Sequence, residues 1–509
     1  MAMARARSLA LQPAKAGLVP DQPRLQSTAA WALFFFLLPI AAWAQGAPSE
    51  DELFGDAPAV EAPIVPDEAT RDSGLLSGEA GETRVSDEHQ ELLEKDRLQL
   101  GGMLYLRAAL GIPQRDARAD SRYVTLSTPN LLDVYLDGRP NERVRAFARG
   151  RVTWDPAAGY PRGLTDALAT AAQLAPAGSA APTLPDPNAA HALLDQLWLN
   201  FDVARTVWVT VGKQPVKFGA TRLWNPADVV NATRKNPLDF MDLRTGVTAL
   251  KARVPLTEEG LNLVVLGTLD QADAVEKVGG VARLEAVFST VELGLSAAAR
   301  RGGDPRAALD VSAGVGDVDL TAEVGTTFLT NAAAHRAGLL ADDVHLQTSL
   351  GLSYTFVYNN DDLCVVGAEG FWNPDQWMAR ADYAGAFAAM LTGQPTTTPY
   401  RPFYLGRYYG AAYVALPGPG TWDDASFTLT TLGNLSDKSF LTRLDATFVV
   451  LTYLSVQAYV QGHYGTKGGE FRFGFDSLTV DPGTGTPVTL PVAYPYQMVD
   501  LGVNLRVDF

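Results

Sequence analysis

VWVTVGKQPVKFGATRLWNPADVVNATRKNPLDFMDLR, residues Val207–Arg244, decides how the rest of the chain is read. Val207, Val209 and Val211 alternate with Trp208 and Thr210, the period-two pattern of a strand with one apolar face. Residues 220–244 follow, with turns at Asn225-Pro226 and Asn236-Pro237, in a segment too long for a hairpin. Alternation resumes at Val247. A strand, a long structured loop and a second strand, set among many similar strands, read as the wall of a pore and the loop that narrows it. Simple alternation places Lys213 and Lys217 on the apolar face, where a charge is costly in lipid. A β-bulge at Gly212 would reverse the faces, turning Lys213 and Lys217 inward and Val216 and Phe218 outward, and it is the expected arrangement; the alternative is that both lysines snorkel to the outer interface.

Outward from this stretch, period two governs almost everything from Leu98 to Phe509. Leu132, Val134 and Leu136 alternate with Asp133, Tyr135 and Asp137. Val144, Ala146 and Ala148 alternate with Arg143, Arg145 and Arg149, and Val499 to Phe509 alternate with Asp500, Asn504, Arg506 and Asp508. The pattern predicts an all-β, transmembrane, antiparallel up-and-down barrel of about 18 strands, with 16 as the alternative count. Short connections such as DGRPNE (137–142), PLTEEG (255–260), GVGDVD (314–319) and NNDD (359–362) take turns with long ones. The long ones are 155–191, 220–244, 329–342, 371–400 and 465–494. Short turns at one end and long loops at the other are the outer-membrane barrel pattern, and an even strand count puts both termini at the short-turn, periplasmic end. Aromatics at strand ends predict two interfacial girdles: Phe201, Phe288, Phe356, Phe448 and Phe509 at one, Trp154, Phe218 and Phe328 at the other.

Residues 1–44 read as a secretory signal peptide. Arg5, Arg7, Lys15 and Arg24 precede AAWALFFFLLPIAA, and Ala42-Trp43-Ala44 offers a cleavage site before Gln45. The apolar run is shorter than the roughly 18 residues a spanning helix needs. Residues 45–97 carry 15 acidic and four basic side chains, the composition of a disordered periplasmic tail. The barrel then occupies 98–509. A net charge of −16 argues against a nucleic-acid partner. The single cysteine, Cys364, rules out an intramolecular disulfide and a cysteine zinc site. No metal-ligand spacing, P-loop or GxSxG motif is present, so neither a cofactor nor an enzymatic activity is expected. His463 has the interior parity of Gln457, Tyr459 and Gln461 and reads as a hydrogen-bonded wall residue.

In a barrel whose Leu and Val face lipid, the alternate residues face the lumen. The candidate pore-lining or solute-binding residues are Arg107, Arg143, Arg145, Arg149, Arg151, Lys213, Lys217, Lys251, Arg253, Glu285, Asp319 and Glu323. The early strands are basic and the middle strands acidic, which predicts opposed walls and a transverse field. The third long loop, 220–244, is expected to fold inward. Its candidate constriction residues are Arg222, Trp224, Asn225, Asp228, Arg234, Lys235, Asp239 and Asp242. Trp224, Leu223, Val229, Val230 and Phe240 suit a packed loop, and Asp228, Asp239 and Asp242 are expected to pair with Arg145 or Arg149.

The terminal DLGVNLRVDF resembles the C-terminal insertion signal of Gram-negative outer-membrane porins, and GKQPVKFG with RLWNPADVVN (212–231) resembles a motif of porin-like proteins. The resemblance covers 98–509 and assigns no subfamily. It implies a porin in the outer membrane that passes small polar or charged solutes. The alternatives are a substrate-specific uptake or export channel of anion or polysaccharide type, and a structural envelope barrel. The implied partners are membrane lipid and lipopolysaccharide, and the barrel assembly machinery acting on the strand that ends in Phe509. A homo-oligomer is left open.

Overall fold

The computed structural model describes residues 97–509 apart from 115–123, 160–185, 232, 240, 258–259, 271, 273, 329–343, 360–361, 376, 393–399, 481–487 and 491–492. The expected signal peptide and acidic tail, and Phe240, lie outside the described residues.

Alternating sequence becomes one closed sheet. Its first strands are β1 (Leu98–Pro113), the short β2 (Thr125–Ser127), β3 (Asn130–Asn141), β4 (Val144–Trp154), β5 (His191–Val203) and β6 (Val207–Gln214). After the long loop come β7 (Val247–Pro255), β8 (Leu261–Thr268), β9 (Gly279–Phe288), β10 (Val291–Ala299), β11 (Arg306–Val315) and β12 (Val318–Phe328). The last part holds β13 (Val344–Tyr358), β14 (Asp362–Trp372), β15 (Tyr408–Pro417), β16 (Ala425–Asn434), β17 (Ser439–Leu451), β18 (Leu454–Gly465) and β21 (Gln497–Asp508). The short β19 (Leu478–Val480) and β20 (Val488–Leu490) form a separate hairpin.

Each long strand pairs antiparallel with its neighbours, and β21 pairs with β1 in the register Leu104↔Val507 and Tyr105↔Arg506. Eighteen strands thus close on themselves. Gly102 N–H donates to Phe509 C=O at 2.7 Å, and Phe509 N–H returns the bond at 3.0 Å. Closure leaves no unpaired edge, the condition for a sheet to cross hydrocarbon.

The two faces differ as a membrane demands. Leu100, Leu194, Leu250, Leu295, Leu350 and Val503 are exposed on the outside, while Asp133, Arg151, Asp195, Asp310, Gln347 and Asn504 are buried inside. An apolar outer band around a polar interior is the transmembrane β-barrel of outer membranes. Among the described residues no helix is long and apolar enough to cross a membrane, and the strands do the crossing. Phe288, Phe328, Phe448 and Phe509 are exposed at strand ends, and Trp154, Phe201 and Phe356 are half-buried. Phe218 is the exception to the expected girdle, for it is buried inside.

Gly212 corrects the expected bulge. Its φ of +119° is a glycine conformation, yet the ladders run through it in unbroken register, Trp198↔Gly212↔Ala249 and Leu197↔Lys213↔Thr248. Lys213 therefore shares the outer face with Val211 and Leu197, and its Nζ donates to Leu194 C=O at 2.6 Å. Val216 and Phe218 turn inward rather than outward, into a cluster with Ala227, Val229, Val247, Ala249, Val264, Leu266, Val281 and Ala308. Ala227 and Val229 of the long loop pack against these apolar side chains.

A candidate solute passage and its loop

The arginine ladder is built by register. In antiparallel pairs, residues directly opposite share a face, so β4 meets carboxylates on both sides. Arg151 Nε donates to Asp133 Oδ1 at 2.8 Å and its Nη2 to Asp133 Oδ2 at 2.9 Å, a bidentate pair with both side chains buried. Arg149 Nε donates to Asp195 Oδ2 at 2.7 Å, Arg145 binds Asp137 at 3.0 Å, and Arg143 binds Asp202 at 2.7 Å. Asp195 reaches Arg149 through a register shift between Arg149 and Gly150. The early wall is thus a ladder of ion pairs, which corrects the expected basic wall. Two carboxylates of the acidic wall are paired in the same way, with Arg283 on Asp310 at 2.6 Å and on Glu285 at 2.9 Å, and Arg253 on Glu285 at 3.5 Å. Tyr135, Phe147 and Trp198 stack beside the ladder with centroids 5.8 and 5.4 Å apart, and the Arg145 guanidinium lies 5.4 Å from the Trp198 ring.

Two wall carboxylates hold the loop that joins β6 to β7. Glu323 Oε1 accepts from Thr221 N–H (2.6 Å) and Thr221 Oγ1 (2.7 Å), and Oε2 from Ala227 N–H (2.8 Å). Glu369 Oε2 accepts from Arg222 N–H (3.0 Å) and Leu223 N–H (2.9 Å), and Oε1 from Trp224 N–H (2.8 Å) and Ser349 Oγ (3.0 Å). Charge-assisted bonds of this kind are roughly twice as strong as neutral ones. Gly219 and Gly325 make the approach feasible: a Cβ on the first would lie 2.5 Å from Glu323 Oε1, and on the second 2.1 Å from Pro226 O. Trp224 is fully buried, stacked on Phe371 at 5.6 Å, with its Nε1–H donated to Phe403 C=O at 3.0 Å. Leu223 and Trp224 share a cluster with Tyr409, Leu432, Leu441 and Phe471, so loop side chains touch wall residues of β7 to β9 and of β14 to β17.

The charged residues of the loop are mostly engaged within it. Asp228 and Asp242 pair with Arg244, at 2.7 and 2.5 Å, rather than with Arg145 or Arg149 as expected. The reason is proximity along the chain, and the wall arginines already hold their own aspartates. The contact with the ladder is a different one: Arg151 Nη1 donates to Leu243 C=O at 2.9 Å. Against the effect of burial, hydrogen bonds from Arg244 keep Asp242 below the usual carboxylate value. Asp239 accepts from Asn236 Nδ2 at 2.9 Å, and burial pushes its carboxyl up to about 6 against the nearby charges of Arg107 and Arg443. Arg222 lies over the Tyr413 ring at 4.0 Å, Lys235 Nζ donates to Arg222 C=O at 2.5 Å, and Arg234 Nη2 donates to Gln347 Oε1 at 2.9 Å. Asn225 Nδ2 donates to Phe218 C=O at 3.1 Å.

Of the remaining candidates, Arg107 Nε donates to Pro129 C=O at 2.7 Å, Lys251 is half-buried opposite Thr210, and Asp319 is exposed near the short turn 316–317. Lys217 is half-buried at the start of the loop. His463 Nε2 lies 2.8 Å from Asp500 Oδ2, in keeping with a hydrogen-bonded wall residue. Sequence reasoning missed Asp195, Arg244 and the Tyr135–Phe147–Trp198 stack as partners. Asp133 and Asp137 were visible as interior-parity carboxylates in the strand preceding the ladder. The bulge that presents Asp195 left no mark in the pattern.

No family model matches the chain, and no curated protein matches it. Solved structures that resemble it include a BenF-like porin from Pseudomonas fluorescens Pf-5, at 10% identity and TM-score 0.49, covering 81% of this chain and 99% of that one. OccAB1 from Acinetobacter baumannii gives 10% identity and TM-score 0.43 over 81% and 96% of the two chains. OccK2 (OpdF) from Pseudomonas aeruginosa, in complex with glucuronate, gives 10% and 0.45 over 81% and 98%.

Proposed function

We propose that this chain is a porin of the Gram-negative outer membrane that lets small polar or charged solutes cross through a water-filled, charge-lined lumen, narrowed by the inward-folded loop between β6 and β7. The observation that carries the reading is the set of five loop amides, those of residues 221–224 and 227, bonded to Glu323 and Glu369. Both carboxylates lie on strands far from β6 in a closed barrel, which supports a loop that runs through the interior. The paired arginines of β4 line the free wall opposite and give a passing ion groups of both signs, while the aromatic stack beside them offers a flat apolar surface. Arg107, Lys251, Arg253 and Glu285 complete this lining, with Arg222, Asp239 and Lys235 on the loop side. Purified full-length protein in planar lipid bilayers should give discrete conductance steps. A correctly folded barrel that leaves the bilayer insulating would overturn the reading in favour of a structural envelope barrel. Conductance that saturates with one solute would refine it to a substrate-specific channel.

Residues 1–44 act in this reading as the export signal, 45–97 as the periplasmic tail, and the Phe509 strand as the segment presented to the assembly machinery.

A further inference from the structure

The loop between β18 and β21 lays one short segment against the barrel wall. After Gly468, whose φ of +72° turns the chain, residues 470–472 form a single 3-10 turn in which Glu470 and Phe471 are buried. Gly469 comes so near the wall that a Cβ on it would lie 2.7 Å from Ser439 Cβ. Register builds the surface beneath. Tyr409, Asn434 and Ser439 stand directly opposite one another on β15, β16 and β17, and Ala411, Leu432, Leu441 and His463 form the next row on β15 to β18. Glu470 sits on the first row. Its Oε2 accepts from the Tyr409 hydroxyl at 2.6 Å and from Asn434 Nδ2 at 2.8 Å, and its N–H donates to Asp437 Oδ2 at 2.7 Å. Phe471 sits on the second row, in the cluster of Trp224, Leu432 and Leu441. Its N–H donates to Ser439 Oγ at 3.1 Å, and its C=O accepts from His463 Nδ1. Phe473 and Phe475 then enter another cluster with Met378, Tyr383, Ala386 and Leu405, so this turn joins the loops packed there to the wall.

Two of these attachments depend on a proton. His463 Nδ1 meets a carbonyl, which only accepts, and Nε2 lies 2.8 Å from Asp500 Oδ2, which also accepts from Gln461 Nε2 at 3.0 Å. The imidazolium donates from both nitrogens, whereas the neutral ring keeps only one of the two bonds. Asp500 faces this ring from β21 and apolar Leu441 from β17. Arg472 turns away, with Nη1 on Gly465 C=O and Nη2 on Gln114 Oε1, each at 2.6 Å. The Glu470 carboxylate faces Asp437, which also accepts from Asn434 Nδ2 at 3.1 Å and from the Tyr383 hydroxyl at 3.2 Å. Its other titratable neighbours are Tyr409, Tyr383 and Tyr400. Among the described residues, no arginine or lysine forms a salt bridge with Glu470. Ionising it therefore sets a second negative charge beside Asp437 in a desolvated site. Burial, with Asp437 adding to it, pushes the Glu470 carboxyl up to about 7, above the ordinary 4.5, so the docked turn holds this proton more tightly than the released one. The gain in docking is complete below about 4.5 and is lost as pH rises through about 7. Loss of the His463 proton acts in the same direction. We propose that residues 469–473 are a pH-sensitive latch that holds the outer loops on the barrel wall in acid and frees them in alkali.

Hydrogen exchange read by mass spectrometry on the full-length protein folded in detergent tests the latch, and it reports on the loop whether or not the barrel conducts. Between about pH 5.5 and about pH 8.5, peptides spanning 470–473 should lose about tenfold of their protection after correction for intrinsic exchange, the factor that a pKa difference of about one unit carries. Peptides from β16 should keep theirs. Glu470→Gln, which stays neutral, should lose most of this response, and adding His463→Gln should remove the rest. Asp437→Asn takes away the facing charge and should reduce the response; it serves as the readout if Glu470→Gln does not fold. Equal protection of the wild-type turn at both pH values, or a response undiminished in Glu470→Gln and Asp437→Asn, overturns the latch. A loss of protection shared by β16 is loosening of the whole barrel and overturns it as well.

Discussion

Glu323 and Glu369 illustrate how one side chain can organise a long segment. Each is buried in a polar cradle of amides that belong to a loop far away in sequence. Truncation to Ala removes the acceptors and leaves the donors buried, at a cost of about 1–3 kcal/mol per unsatisfied group. Glu323→Ala and Glu369→Ala should therefore lower the thermal transition of the folded barrel and make single-channel current noisier. An unaltered transition with a quiet channel would show that the amides find other partners. Asp239 supplies a pH prediction. Its folded pKa of about 6 lies above the ordinary 3.8, so the folded loop holds this proton more tightly than the unfolded chain does. The stabilisation is complete below about 4 and lost as pH rises through about 6. Lowering the pH from about 7 to about 5 removes a negative charge near Arg107 and Arg443, which should move ion preference towards anions. Asp239→Asn should remove most of that shift. Glu470, buried in the loop before β21 and pushed up to about 7, titrates in the adjoining window, and Glu470→Gln separates its contribution.

Among the elements, β4 carries the selectivity prediction. Arg145 and Arg149 are partly exposed, with side chains 39% and 27% accessible, whereas Arg151 is 5% accessible against Asp133. Replacing Arg145 and Arg149 with Gln removes two positive charges and leaves Asp137 with Arg139 at 3.2 Å and Asp195 with Arg151 at 3.3 Å, so reversal potentials under a salt gradient should shift towards cation preference. An unmoved potential in a folded double variant would remove the ladder from the permeation path. Arg151→Gln is a different experiment: it strips the partner from a buried carboxylate, which costs about 3–5 kcal/mol. The alternation of β4 was legible because period two needs only neighbours. Its partners were not, because Arg151↔Asp133 and Arg149↔Gln196 are set by register and by the shift beside Gly150. The same limit explains Gly212: a glycine in a charged strand end reads as a bulge until the ladders on both sides are seen to continue.

For the whole molecule, the barrel was readable and the loop's attachments were not. Outer apolar residues, short turns and a terminal aromatic strand repeat often enough that single errors average out. A loop anchored by two glutamates depends on contacts between residues about a hundred or more positions apart, for which one sequence holds no periodic signal. Processing is a further molecular prediction: protein isolated from the outer membrane should begin at Gln45, and retention of residues 1–44 there would contradict the export signal. In the proposed channel, the loop between β6 and β7 narrows the passage. Replacing residues 224–238 with a short Gly-Ser linker removes Trp224 and the contacts of Ala227, leaving the strands intact. Single-channel conductance of this variant, compared with that of the parent in the same bilayer, is the direct test. Normal membrane assembly and a conductance raised severalfold are expected; a shortened protein that inserts normally and conducts as the parent does would show that this loop does not constrict the pore.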